Sequence, residues 1–428
     1  MTASQATEVD LAEESGIPLR LAYKFINKQA GGRESLGYFK QDQKNYLRTV
    51  RQKRMAYEEV GVLLQYFSKQ ILENPSFFYE LHLDKEEQIT NIFWADAKMI
   101  IDYSHFGDVV SFDTTYKVNE LDRPFAVFVG FNHHKEIVVF GAALMYDETA
   151  ASFSWLFKTF LKAMSSKAPR TIFTDQDPVM AKAILEVMPQ TYHRLSLWHL
   201  MQNACKNLNT LFRGEEGVHN ALTTKFDHIE EESEFAAAWY SMLDEYDAHE
   251  NDWLATTFKI RKKWAYAYVR SAWSIGIRSA QISESFNARL KNYLKSDLNI
   301  VQFFTNFERV LTDTRYKEWE AEYDLQFRIA HVKFDIKMLK QAREVYTKAI
   351  FKLFQDQFEE SIELSITKCV ADGDDFVYTV KLDDKSKKHK VKKEGISTVS
   401  CNCRLFEMKG ILCSHAIKVL REAILNNI

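Results

Sequence analysis

Three apolar runs follow one another closely between residues 109 and 146, and they restrict the fold more than any other feature of the chain. The runs occupy residues 109–117 (VVSFDTTYK), 124–132 (PFAVFVGFN) and 136–146 (EIVVFGAALMY). Links this short leave no room for helical crossovers, so the runs predict adjacent strands in an antiparallel meander. The core of the chain is therefore expected to be built on a sheet that begins with this meander.

The segment after the meander alternates between helix and strand. Apolar residues from Phe153 to Met164 recur at helical spacing, and an apolar run at residues 170–174 predicts a fourth strand. Asp177 and Pro178 have the chemistry of a helix cap followed by a first-turn proline, and a fifth strand is expected near residues 192–197. The order β-β-β-α-β-α-β, with acids at the ends of strands one and four, predicts a ribonuclease H-like arrangement.

The predicted fold class is α/β, with a ribonuclease H-like core, a long helical insertion, helical N- and C-terminal flanks, and a small C-terminal β-hairpin plus zinc finger. In the N-terminal flank, helical spacing predicts helices over residues 53–72 and 85–101. The predicted division is a flexible lead-in (1–40), a helical N-terminal segment (41–105), the core (106–205 and 275–300), the insertion (206–274), a helical segment (301–360), and a hairpin with zinc finger (361–428).

Residues 300–360 carry aromatic side chains at helical intervals. Such stripes pack in a core far more often than they stack on bases, so a core role is predicted. After residue 361 the apolar period changes to two around an Asp-Gly turn, which predicts a hairpin. The aromatic positions are Phe303, Phe304, Phe307, Tyr316, Trp319, Tyr323 and Phe327.

Composition and charge exclude several classes of protein. Among 428 residues, 46% are hydrophobic and 27% are charged, which is typical of a globular chain and not of a disordered one. The net charge of -3 argues against a uniformly basic nucleic-acid binder. No apolar run is long enough to span a membrane, and the acidic start lacks the pattern of a secretory signal, so we expect an intracellular protein without a membrane partner.

The strongest local signal lies at the end of the chain, in CNCRLFEMKGILCSH. Cys401 and Cys403 form a Cys-x-Cys pair, and Cys413 and His415 form a Cys-x-His pair. Three thiolates and an imidazole suit a closed, tetrahedral, structural zinc site, with a helix after His415. The alternative is three unrelated buried cysteines and a surface histidine, but intracellular cysteines at ligand spacing favour zinc.

A second set of candidate ligands consists of Asp113, Asp175 and Glu284. Together they could hold Mg²⁺ for phosphoryl transfer, although each acid could equally be a turn, cap or surface residue. Glu284 lies in a basic stretch that suits phosphate binding or, alternatively, a solvated surface. The candidate nucleic-acid-binding residues in and around this stretch are Lys259, Arg261, Lys262, Lys263, Arg278, Arg289 and Lys291.

Several sequence words resemble one known family. They are VVSFDTTYKVN, RTIFTDQDPVMAKAI, HRLSLWHLMQNA and IRSAQISESFNARLK. These words are similar to the MULE-type (Mutator-like) DDE transposase core, and more narrowly to the plant far-red-impaired-response-related proteins, from about residue 41 to the C-terminus. The spacing at the end of the chain resembles the SWIM-type zinc finger, which follows the MULE core in that family.

The resemblance implies a nuclear transcription regulator, in light-responsive gene control, whose transposase ancestry no longer serves catalysis. It implies DNA or chromatin as a partner, reached directly or through related full-length family members, with homo- and heterodimers both open. Family members typically begin with a Cys/His-rich DNA-binding zinc finger, whereas the first cysteine here is Cys205. A cysteine is also usual where this chain has Ser196, so His199 is interpreted as a packed or hydrogen-bonded histidine.

Two hypotheses follow. In the first, the chain is a transposase-derived regulator with structural zinc and no enzymatic activity. In the second, the acid set makes it a metal-dependent DDE transposase or nuclease, with Mg²⁺ as its cofactor. The net charge favours the first hypothesis, because an enzyme that handles long DNA is expected to be more basic.

Overall fold

A seven-stranded mixed sheet forms the centre of the computed structural model. The strands are β1 (Phe78–Leu83), β2 (Ile89–Ala95), β3 (Val109–Thr115), β4 (Phe125–Phe131), β5 (Ile137–Leu144), β6 (Thr171–Thr174) and β7 (Tyr192–Leu195). The structure describes residues 2–14, 17, 19–54, 60–115, 118–119, 122–212, 214–224, 226, 228–277, 281–373, 375–382, 387–395 and 398–425.

The strand order in this sheet is β1-β2-β5-β4-β3-β6-β7. Strands β3, β4 and β5 form the predicted antiparallel meander, whereas β6 runs parallel to both β3 and β7. The five strands predicted from the sequence are therefore confirmed. Because β3 and β6 are parallel neighbours, their carboxyl ends lie at the same edge of the sheet, which places Asp113 and Asp175 on that edge.

The helix predicted over residues 85–101 is wrong. Strands β1 and β2 form an antiparallel hairpin, and the helix that follows, α6 (Ala97–Phe106), begins only after Asp96. All seven residues of β2 are buried, so the strand lacks the alternation of apolar and polar residues that marks a half-exposed strand. Its apolar positions fell on a helical period by coincidence.

Helices cover both faces of the sheet. α7 (Ala150–Ala163) is capped by Thr149, and α8 (Pro178–Val187) by Asp177, whose carboxylate accepts from Val179 N and Met180 N, each at 2.7 Å. The predicted cap and first-turn proline are confirmed. Helices α14 (Gln281–Tyr293) and α15 (Ile300–Phe327) also pack on the sheet, and α9 (Leu197–Leu208) follows β7.

The aromatic side chains of the long helix α15 pack on the sheet in its first half only. Phe303, Phe304 and Phe307 are buried against Trp94 and Phe125 in edge-to-face contacts. The aromatic residues of the second half are exposed, so the predicted core role is wrong for them. Those residues are Tyr316, Trp319, Tyr323 and Phe327.

The insertion between β7 and α14 is helical, as predicted, and has its own apolar cluster around Phe235, Trp239 and Trp264. Its elements are α10 (Glu215–His219), a π-helical turn (Asn220–Thr224), α11 (Glu232–Glu245), α12 (Asp252–Lys259), a 3-10 turn (Arg261–Lys263) and α13 (Tyr266–Val269).

The described residues of the N-terminal flank are helical up to residue 73, and three of the helices lie within residues 1–40, for which a flexible lead-in is predicted. The predicted helix over residues 53–72 corresponds from residue 60 onward to α5 (Val60–Glu73), whereas residues 55–59 lie outside the described part of the chain. The helices are α1 (Ala3–Glu14), α2 (Leu19–Gln29), α3 (Arg33–Leu36), α4 (Lys40–Arg54) and α5 (Val60–Glu73). Among the described residues, no helix has the length and apolar character needed to cross a bilayer.

The C-terminal part contains a second, four-stranded antiparallel sheet of order β11-β10-β9-β8. The predicted hairpin is confirmed as β8 paired with β9. The elements are α16 (Lys337–Val345), α17 (Lys348–Glu363), β8 (Ser365–Asp372), β9 (Asp375–Lys381), β10 (His389–Glu394), β11 (Thr398–Cys401), α18 (Leu405–Lys409) and α19 (Ser414–Leu425).

Candidate metal centre and carboxylate site

The four ligands predicted at the end of the chain lie together. One ligand atom from each of Cys401, Cys403, Cys413 and His415 falls within 4.8 Å of all the others. Cys403 and Cys413 are buried, and Cys401 and His415 are half-buried. The donor set of three sulfurs and one imidazole nitrogen fits a tetrahedral zinc site with no coordination position left for water.

Local chain geometry brings the four residues together. Cys401 ends β11, and Arg404 then turns the chain sharply with a left-handed φ of 56°. Gly410 ends α18 at a φ of 71°, and a Cβ atom there would lie 2.8 Å from the ring of Trp273. Cys413 and His415 lie at the start of α19, where the Ala416 N–H donates to Cys413 Sγ at 3.4 Å. The strand end and the helix start thus present both pairs to one point.

The electrostatics of this cluster favour a bound cation. The pKa of the Cys413 thiol is lowered to about 4, because the thiols of Cys401 and Cys403 donate hydrogen bonds to its sulfur. The pKa of Cys401 is raised, because its proton is shared with those same two sulfurs. His415 Nδ1 is buried without a hydrogen-bond partner among the described residues. One negative charge and an unsatisfied nitrogen in a buried site are costly unless a cation binds there.

The cluster packs against the helical insertion through Arg270. This buried guanidinium donates to Glu230 Oε2 and to the carbonyl oxygen of Asn402, both at 3.0 Å, and to Glu231 Oε1 at 3.2 Å. A second link is the 3.0 Å hydrogen bond from Ser274 N to Met408 O. The loop that carries the cysteines is therefore held by residues far from it in sequence.

Asp113 and Asp175 lie close enough to interact at the edge of the sheet. Asp113 Oδ2 accepts from the Asn287 side chain at 2.7 Å, and Asp113 Oδ1 accepts from Thr114 N at 2.9 Å. Asp175 Oδ1 accepts from Asp177 N at 3.1 Å. Each carboxylate is thus oriented by hydrogen bonds from the protein itself.

Burial raises the pKa of Asp113, and this effect exceeds the opposing attraction of His199 and the hydrogen bond from Asn287. Burial also raises the pKa of Asp175, and repulsion from Asp113 adds to the shift. Both carboxylates are therefore harder to ionise than free aspartate, and a cation between them would relieve the repulsion.

The third predicted acid, Glu284, lies on α14, but its side chain is outside the part of the chain that the structure describes. Asn287 follows it by three residues, a spacing that places the two positions on one face of the helix. The Asn287 side chain itself is directed toward the acids, since it donates to Asp113 Oδ2. Sequence reasoning missed Asn287, which is distinguished only by its place in the word SAQISESFN.

His199 lies near both aspartates, and its charge would stabilise the two carboxylates. Its ring contacts Trp198 edge to face at a centroid distance of 4.8 Å, and its buried Nδ1 has no hydrogen-bond partner among the described residues, which favours the packed alternative of the prediction. Ser196 caps α9 by accepting from His199 N at 3.3 Å. The serine therefore fixes the start of the helix that carries this histidine.

Of the predicted basic residues that the structure describes, three are half-buried and three are exposed. Arg261 stacks on Phe258 and donates to the Phe258 carbonyl, and Lys263 contacts His193 Nδ1 at 3.1 Å. Arg289 is half-buried on α14, and Arg278 lies outside the described residues. The exposed members of the set are Lys259, Lys262 and Lys291.

Comparison with known proteins places these sites in context. A MULE transposase domain matches residues 109–203, and a SWIM zinc finger matches residues 378–424. Protein FAR1-RELATED SEQUENCE 5 of Arabidopsis thaliana is 34% identical over 97% of this chain and 53% of its own length. Protein FAR1-RELATED SEQUENCE 9 of the same plant is 30% identical over 85% of this chain and 67% of its own length. The chain belongs to the FAR1-related family.

A further relative, Protein FAR-RED IMPAIRED RESPONSE 1 of Arabidopsis thaliana, is 31% identical over 96% of this FAR1-related chain and 51% of its own length. The chain thus spans about half the length of several curated relatives it matches. The MULE match includes Asp113, Asp175 and His199, whereas Asn287 lies beyond it. The SWIM match includes all four residues of the cysteine cluster.

Proposed function

We propose that this FAR1-related chain is a transposase-derived regulator of transcription that acts in the nucleus, in light-responsive gene control, and is not an enzyme. The observation that carries the proposal is the similarity to FAR-RED IMPAIRED RESPONSE 1 along nearly the whole chain, since that protein's name refers to a response to far-red light. DNA or chromatin is the proposed partner, reached directly or through full-length relatives, in a homo- or heterodimer.

We also propose that the large sheet is a ribonuclease H-like core, whose acidic residues are inherited from a transposase and no longer serve catalysis. The support is the strand order β5-β4-β3-β6-β7, with an antiparallel meander followed by parallel strands and with acids on β3 and after β6. Asp113 is already held by Asn287 and Thr114, and burial raises its pKa. Both features favour a carboxylate that serves the fold over one that is ready to bind Mg²⁺.

We propose zinc as the ion of the SWIM finger, with Cys401, Cys403, Cys413 and His415 as its ligands. A closed set of four protein ligands gives the ion no open position for substrate, so its contribution would be to fold the segment that carries it. The finger would then present a fixed surface next to the insertion, because Arg270 joins the two through Glu230 and Asn402.

The alternative is a metal-dependent DDE transposase or nuclease with Mg²⁺ as cofactor. The observation in its favour is that Asp113, Asp175 and His199 converge at one edge of the sheet. In such an enzyme the two aspartates would hold the metal, which would stabilise the attacking and leaving oxygens of a phosphoryl transfer. Asn287 would orient Asp113 in either case.

Two measurements separate these functions. A fluorescent fusion of the chain should enter the nucleus and change a light-responsive reporter, and this effect should survive Asp113→Asn and Glu284→Gln. Purified chain with Mg²⁺ or Mn²⁺ should neither nick nor join DNA ends. Strict cytoplasmic retention would contradict the regulator, and DNA cleavage that Asp113→Asn abolishes would establish the enzyme in its place.

A further inference from the structure

A second group of metal-type side chains lies between the β4–β5 turn and helix α15. His133 and His134 come from the turn, and Glu322 comes from the helix. One ligand atom of each residue lies within 4.8 Å of the other two. Neither the MULE match nor the SWIM match covers all three residues, since Glu322 lies outside both.

The distances in this group place both imidazoles near one carboxylate oxygen. His134 Nε2 is 2.9 Å from Glu322 Oε2, and His133 Nε2 is 4.0 Å from the same oxygen. The first distance is a hydrogen bond, and the second is too long for one. The Nε2 atoms of both imidazoles thus lie near Glu322 Oε2, but only His134 is bonded to it. Ligands about 2.0–2.1 Å from a tetrahedral zinc ion are roughly 3.3 Å apart, which lies between the two observed distances.

The backbone holds the two histidines in place. The Asn132 side chain accepts from His134 N at 2.9 Å and from Glu136 N at 3.0 Å, and Lys135 has a left-handed φ of 62°. These contacts define a tight turn that directs consecutive side chains to one side. The two imidazole rings lie with their centroids 4.1 Å apart.

Neighbouring elements fix the same turn from outside. The ring of His133 stacks on Phe106 at a centroid distance of 5.3 Å. The hydroxyl of Thr347, which precedes α17, donates to the carbonyl oxygen of His133 at 2.6 Å. The His134 side chain is 4% exposed, whereas those of His133 and Glu322 are 47% and 46% exposed. The site is thus preformed on one side and open to solvent on the other.

We propose that His133, His134 and Glu322 form a second zinc site that joins the β4–β5 turn to α15. Two neutral imidazoles and a carboxylate are a zinc donor set, and three protein ligands leave one coordination position for water. The bound ion would strengthen the existing contact between the turn and the second half of α15, whose aromatic residues are exposed. This inference does not depend on the proposed regulatory function.

The test uses the full chain carrying its first equivalent of zinc. Titration with Zn²⁺ against a chromophoric chelator should show a second equivalent, and Co²⁺ bound there should absorb in the visible range without a thiolate-to-cobalt charge-transfer band. Glu322→Gln and His133→Asn should each weaken this second binding event at least about tenfold. Both side chains are half exposed, so these variants should fold, as circular dichroism would verify.

The matched control is Glu320→Gln, which removes a glutamate from the same helix outside the group and should leave the second affinity unchanged. A titration that stops at one equivalent would overturn the proposal. So would a second equivalent that binds Glu322→Gln as tightly as the parent chain, or one whose cobalt form shows thiolate charge transfer.

Discussion

The cysteine cluster and the carboxylate pair both gather metal ligands, but they are held together by different forces. Cys401, Cys413 and His415 belong to a short segment, and His415 Nδ1 has no hydrogen-bond partner in the described chain. Asp113 and Asp175 lie on or after neighbouring strands of a buried sheet, and protein N–H groups orient both. We therefore expect the cluster to need an ion to complete its fold, whereas hydrogen bonds already orient the two carboxylates.

The largest effect expected from this difference follows loss of the finger's metal. Cys403→Ser or a strong chelator should unfold residues 378–424, because structural zinc contributes roughly 10 kcal/mol to the folding of small domains. Hydrogen exchange of β10 and α19 amides, together with zinc analysis, measures the loss. Cys369→Ser is the matched control, since Cys369 is an exposed cysteine in the same small sheet. Less than about one equivalent of zinc in native protein would contradict the premise.

A smaller loss is expected where the finger meets the insertion. Arg270→Ala would leave Glu230 and the Asn402 carbonyl without their buried donor, at a cost of about 3 kcal/mol. Faster hydrogen exchange in both α11 and β11 would show that the contact links the two regions. Glu231→Gln serves as control, because Glu231 is 49% exposed and its pair with Arg270 should contribute less than about 1 kcal/mol. Equal increases in hydrogen exchange in Arg270→Ala and Glu231→Gln would contradict the conclusion that Glu230 and Asn402 carry the link.

On the carboxylate side, Asn287→Ala should destabilise the sheet edge by about 1.5 kcal/mol, since Asp113 Oδ2 would lose its side-chain donor. Urea unfolding of the parent and variant chains measures the difference. Asn207→Ala, which removes an exposed amide that bonds only within its own helix, should have little effect. If added Mg²⁺ fully restored the stability of Asn287→Ala, the acids would be held by metal and the contrast between the two sites would fail.

The smallest effect concerns the charge of Asp113. A raised folded-state pKa means that the folded chain binds more protons than the unfolded chain, so this group's contribution to stability falls as pH rises from about 3.9 through the folded pKa. Asp113→Asn removes that penalty. The variant should therefore gain stability relative to the parent chain as pH rises, by less than about 1 kcal/mol. Unfolding at several pH values tests this, and a relative gain toward acid pH would contradict the shift.

The ease of predicting each region from sequence follows the same division. The spacing of Cys401, Cys403, Cys413 and His415 is local, so the sequence alone indicated the cluster. The strands of the meander were evident because their apolar runs are short and closely linked. By contrast, the contact of Asn287 with Asp113 depends on how α14 lies against the sheet, which no local spacing shows.

Two errors have identifiable physical causes. Strand β2 was predicted as helix because it is buried on both faces and shows no alternation. The aromatic stripe of α15 continues past the end of the sheet, so Phe304 is 1% exposed whereas Trp319 is 71% exposed. Periodicity identifies the face of a helix but not where the surface that supports that face ends.

The hydrogen bond from Arg270 to the Asn402 carbonyl has a consequence for moving the finger into another protein. A fragment that begins at the first strand of the small sheet would keep all four ligands but lose Arg270, Ser274 and the Trp273 ring that packs on Gly410. In such a fragment the Asn402 carbonyl would lose the buried Arg270 donor that it has in the full chain and would be exposed to solvent. Fusions that transplant the finger should therefore include residues 230–277, since the working module is larger than its motif.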